Sequence, residues 1–154
     1  MTLAAGCSMF SPAPAQKLTG AKTVCILYDE TAFKNRVVEA VSNRLAAQGY
    51  AVVTDRNGRA PYYQASEYGA VVFLAEYWAW HVPYQQKRYF QGNGEAANIV
   101  FVVTSGDPGV EITEPFDAIT SASGNDRIEP VAGEILTRLE RILKESAGTG
   151  ARNP

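Results

Sequence analysis

Three stretches of this chain are apolar from end to end: KTVCILY at Lys22 to Tyr28, AVVFLA at Ala70 to Ala75, and NIVFVVT at Asn98 to Thr104. A strand with one wet face alternates apolar and polar residues. These runs do not alternate, and they are rich in β-branched side chains. They therefore predict strands covered on both faces, as in a parallel sheet flanked by helices. Parallel strands also need crossovers long enough to return the chain to its starting edge, which restricts the fold further.

The segments between the runs supply those crossovers. From Thr31 to Gly49, apolar residues at Phe33, Val37, Val38, Val41 and Leu45 form one helical stripe, and Gly49 supplies the stop. Ala51 to Asp55 reads as a short second strand. A loop follows from Arg56 to Ser66, with Asn57-Gly58 and Pro61 as turn signals. Pro83 suits the first turn of a helix that runs to Gln91 and is ended by Gly92-Asn93-Gly94. Beyond the fourth strand, SGDPGVEITEP is rich in turn residues and leaves little room for a helix before a fifth strand at Phe116 to Ala122. Ile128 to Leu143 closes the domain as a helix with Val131, Ile135, Leu139 and Ile142 on one face. The expected fold class is α/β, a three-layer doubly wound sandwich around a parallel five-stranded sheet in the order 2-1-3-4-5. Ligands of such sheets bind where the carboxyl ends of strands 1 and 3 diverge. Those ends read YDETAFKN and AEYWAWHVP.

At 154 residues the chain can bury one core without disulfides or a structural metal. The expected organisation is a tether over 1–21, the domain over 22–145 and a mobile tail over 146–154. A net charge of -2 offers no basic stripe, which argues against nucleic acid as a partner. Cys25 lies inside the first apolar run, as a small buried thiol would, and no bridge to Cys7 is expected. His81 is the sole histidine. It excludes a histidine-rich metal cluster, and its expected role is a loop hydrogen bond rather than catalysis. Neither a metal nor stand-alone enzymatic activity is expected.

The first strand with its helix, the run YGAVVFLAEYWAWHVPYQQKRYF and the run NIVFVVTSGDP together resemble a flavodoxin-type domain, from Lys22 to Leu143. The match falls on Tyr77, Trp78, Pro83, Lys87 and Phe90, with one residue more than the family has between the tryptophan and the proline. The resemblance implies FMN, its ring held between aromatics of the binding loops, one-electron transfer and a redox partner. Carried onto this chain, the cofactor contacts are Thr31 and Asn35 in the first loop, Tyr77, Trp78 and Trp80 in the second, and Ser105, Gly106 and Asp107 in the third.

The first loop departs from the family. Flavodoxins place a T/S-x-T-G-x-T run there, whose hydroxyls and helix N-terminal amides cradle the FMN phosphate. This chain has DETAFKN, with Asp29 and Glu30 in the loop, Phe33 where glycine belongs, and Thr31 as the surviving hydroxyl. Two carboxylates repel a phosphate dianion, and Lys34 or Arg36 would offset them in part. The ordinary phosphate site reads as degraded.

Asp29 and Glu30 are also similar to the acidic pair of receiver domains, which share this topology. That chemistry needs an aspartate after strand 3 and a lysine after strand 5. Glu76 and FDAITSAS stand there instead, so phosphorylation is not expected.

The five residues LAAGC, Leu3 to Cys7, resemble a bacterial lipobox, with Ala4 where that motif prefers a large aliphatic residue. A Pro/Ala/Ser-rich stretch follows, too poor in apolar residues to fold. The resemblance implies a lipid on Cys7 and a place on the periplasmic side of a bacterial cell envelope, if translation starts upstream of Met1. The alternative is a frayed N-terminal tail on a cytoplasmic protein. Two functions stay open: a flavodoxin-like module that binds FMN or another flat ligand at the aromatic loop, and a non-enzymatic envelope domain that lost FMN and uses the same edge for a protein partner.

Overall fold

The apolar runs become the centre of one parallel sheet. The computed structural model describes residues 18–77, 84–107 and 109–150. Its strands are β1 (Gly20–Tyr28), β2 (Ala51–Asp55), β3 (Tyr68–Glu76), β4 (Ile99–Ser105) and β5 (Ala118–Ala122), paired in the expected order β2-β1-β3-β4-β5. Every pairing is parallel. The helices are α1 (Ala32–Ala47), α2 (Tyr84–Gly92) and α3 (Ile128–Gly150), and single 3₁₀ turns cover Asn57–Tyr62, Ala65–Glu67 and Asn125–Arg127.

Strand residues divide between the faces by alternation. Val24, Ile26, Val72, Leu74, Val100, Val102 and Ile119 face α1 and α3, where they join Val37, Val41, Leu45, Ile135 and Leu139 in an almost wholly aliphatic core. Cys25, Leu27, Val71, Phe73, Phe101 and Val103 face the other way. That second layer departs from the simple doubly wound plan. A single nine-residue helix, α2, shares it with the two 3₁₀ turns after β2 and with the segment around Ile112 and Phe116. Gly58 and Pro61 in the β2–β3 connection explain the loss of a regular crossover helix there.

Large rings fill what helices would have covered. Phe101 stacks on Phe116 at 3.8 Å between centroids, and Phe90 meets both edge-on at 5.6 and 5.5 Å. Gly69 marks the closest backbone approach. A Cβ there would lie 2.1 Å from the Ala21 carbonyl oxygen and 2.9 Å from Leu143, which only glycine avoids.

Several boundaries moved. β1 starts at Gly20, inside the expected tether, rather than at Lys22, and β3 at Tyr68 rather than Ala70. β5 starts at Ala118 rather than Phe116, whose ring is drawn into the second layer. The last helix runs on to Gly150, so residues 146–150 extend it instead of forming a tail. The Glu140–Lys144 ion pair and a bond from the Ser146 hydroxyl to the Ile142 carbonyl support those turns. Residues 151–154 lie outside the described residues.

Candidate functional site

All five strands point their carboxyl ends at one edge, and the order 2-1-3-4-5 sets the switch point between β1 and β3. The edge has two unlike halves.

Over β1 and β2 the connection from β1 to α1 is only Asp29, Glu30 and Thr31. Thr31 is the N-cap of α1, and its hydroxyl accepts the Lys34 N–H at 3.2 Å. Because the helix begins at Ala32, Phe33 sits in its first turn and is buried in the aliphatic core rather than obstructing an open loop. Lys34 is also buried, only 2% exposed, while Asn35 and Arg36 are exposed.

Asn57, itself buried, reaches in from the turn after β2. Its amide donates to the Asp29 carboxylate at 3.1 Å and to the Leu74 carbonyl at 2.8 Å. Asp29 is thereby fixed at the switch point by a neutral group. Asp55, at the end of β2, is engaged by the Tyr63 hydroxyl, the Arg59 guanidinium and the Arg56 N–H. Burial, and then the bond to Asp55, push the Tyr63 phenol above the ordinary tyrosine range.

Over β3, β4 and β5 the edge opens into a cavity of about 540 Å³. Glu76 and Tyr77 line it from β3, Thr104 to Gly106 from β4, and Ala122 and Ser123 from β5. The Tyr77 N–H donates to the Thr104 carbonyl at 2.8 Å, prolonging the β3–β4 ladder to the rim. The Ser105 hydroxyl accepts the Asp107 N–H at 3.0 Å, and the Asp107 carboxylate accepts the Gly109 N–H at 2.9 Å, which shapes the turn after β4. A hydroxyl has one donor and two acceptor sites, so Ser105 keeps capacity for a ligand.

The residues proposed from sequence thus divide. Tyr77, Ser105 and Gly106 come together at the cavity, with Asp107 in the adjoining turn. Thr31 and Asn35 belong to the other half, where Thr31 caps α1. Trp78, Trp80, His81, Pro83 and Cys7 lie outside the described residues. The rest of the aromatic run has separate duties. Tyr89 and Phe90 pack in the second layer, and Tyr84 is 72% exposed beside a groove of about 500 Å³ between α2 and the turn after β2.

Sequence reasoning missed two buried amides, Asn57 and Gln86. Gln86 donates to the Phe73 carbonyl at 2.6 Å and the Val102 carbonyl at 3.1 Å, tying α2 to β3 and β4 just below the cavity. Gln86 and Tyr89, three residues apart, are both buried on α2. Asn57-Gly58 carried only the signal of a turn.

A phosphate needs open N–H groups and no competing anion. The β1–α1 corner instead presents a short turn, one hydroxyl engaged as the helix cap and two exposed carboxylates, whose charge opposes a phosphate there. Among the described residues, no group of side chains able to hold a metal ion is present, and no helix is long and apolar enough to cross a membrane.

No protein-family model matches the chain, and no curated protein does. Solved structures do. A flavodoxin from the domain Archaea is 9% identical, with a TM-score of 0.53 over 78% of this chain and 98% of that one. The chain has a flavodoxin-like fold. The rubredoxin oxygen:oxidoreductase of Desulfovibrio gigas is 12% identical, with a TM-score of 0.54 over 84% of this chain and 37% of its own. The constitutive lysine decarboxylase of E. coli is 8% identical, with a TM-score of 0.50 over 80% of this chain and 18% of its own. The flavodoxin-like fold therefore recurs in proteins of different described activity, and function has to be argued from the site.

Proposed function

We propose that this chain is a flavodoxin-like module that binds a flat aromatic ligand of the flavin class over β3, β4 and β5 and serves electron transfer to a protein partner. The observation that supports it is the cavity at the carboxyl edge, which combines an aromatic wall at Tyr77 with hydroxyls and small residues at Ser105, Gly106 and Ser123. A ring stacked on Tyr77 gains about 1 kcal/mol beyond the area it buries. Small residues opposite allow the close approach a planar ligand needs. Titration of the purified chain with a flavin, followed by quenching of flavin fluorescence, tests this. Saturable quenching is expected, with roughly fivefold weaker binding for Tyr77→Ala. No response to any flavin would refute the reading.

The closed β1–α1 corner favours a second reading, in which the domain kept the fold without the cofactor and uses the exposed aromatic edge, Tyr84 included, for a protein partner in a bacterial envelope, tethered by a lipid on Cys7. The same titration separates the two, since this reading predicts no flavin response.

A further inference from the structure

The β1–α1 corner lies at the same edge of the sheet as the open cavity, beside the end of β3. Strands lie about 4.8 Å apart, so the corner is on the order of 10 Å from β4, within reach of the side arm of a ring stacked at Tyr77. What the corner offers that arm is acidic. Asp29 and Glu30 are both exposed, and among the described residues neither is ion-paired. Asp29 is moreover held in position by the Asn57 amide. Lys34 presents no open ammonium, being 2% exposed. Arg36 is exposed and Lys34 buried, but three carboxylates, Asp29, Glu30 and the cavity-lining Glu76, stand against these two cations and leave the mouth net negative. The α1 N-terminus, which would otherwise attract an anion, is preceded by the chain's own.

Carboxylates accept hydrogen bonds from hydroxyls and repel phosphate. We propose that this crevice selects a flat heteroaromatic ring whose arm is an uncharged polyol and discriminates against the phosphorylated form, with Asp29 and Glu30 as the discriminating groups. The inference rests on the flat-ligand reading above and makes it more specific: riboflavin rather than FMN. A dianion within about 8 Å of one carboxylate in water loses roughly fivefold in affinity, and two carboxylates compound the effect.

The test is a pair of titrations of the whole chain, riboflavin against FMN, each by fluorescence quenching at low and high salt. Riboflavin is expected to bind at least about tenfold tighter at low salt, and the gap should narrow at high salt as the repulsion is screened. The double variant Asp29→Asn, Glu30→Gln should bring the two ligands within about threefold of each other. The salt comparison uses the native chain and so stands even if the double variant folds poorly. FMN binding as tightly as riboflavin, or a gap that neither salt nor the double variant moves, would overturn the proposal and leave the flat-ligand reading in place. Binding of neither flavin would overturn both.

Discussion

Over β1 and β2 the carboxyl edge of the sheet is closed by the protein's own side chains, whereas over β3, β4 and β5 it is open. In the closed half several polar groups have work within the fold: Thr31 caps α1, Asn57 spans Asp29 and the Leu74 carbonyl, and Asp55 gathers Arg59 and Tyr63. In the open half Ser105, Gly106, Ala122 and Ser123 are small, the Ser105 bond is local, and space remains between them. The difference teaches that a binding edge inherited with a fold need not be used along its whole length. One half has become structural, and what it keeps exposed is negative.

Substitutions break this comparison if they cost the wrong quantity. The largest stability effect is expected for Asn57→Ala, which removes a part-buried hydrogen bond to the Asp29 carboxylate and a buried one to the Leu74 carbonyl. A loss of about 2–3 kcal/mol should appear as a lower urea midpoint with unchanged slope. A loss below about 0.5 kcal/mol would mean that Asn57 does not brace the switch point. The smallest stability effect is expected for Ser105→Ala in the open half. It forfeits one local bond to the Asp107 N–H and should cost about 0.5 kcal/mol, yet weaken flavin binding measurably in the same fluorescence titration. Comparable stability losses at the two positions would erase the distinction between the halves.

How much of this was legible in the sequence follows from the kind of signal each part gives. The sheet was readable because a strand buried on both faces leaves a continuous β-branched run, and the runs at β1, β3 and β4 needed no tertiary information. The α1–α3 face was readable for the same reason, since Val37, Val41, Leu45, Ile135 and Leu139 keep helical spacing. The second layer was less so. Rings such as Phe101, Phe116 and Tyr89 pack there across short turns that have no period to read. At the site, topology alone located the edge, and the acidic character of DETAFKN was plain. Thr31 read as a cofactor contact, and its place as the cap of α1 emerged only with the structure. Asn57 and Gln86 were not legible, because an amide's role depends on which carbonyls the fold brings to it.

Ligand binding is proposed for the β3–β5 half of the edge. Amide spectra of isotope-labelled protein, recorded while riboflavin is added, test it most directly. The account predicts shifts concentrated at Tyr77, Ser105, Gly106, Ala122 and Ser123, with smaller changes at Asp29 and Glu30. Shifts confined to the groove between α2 and the turn after β2, around Pro61, Tyr84 and Arg88, or a spectrum that does not change at all, would contradict it.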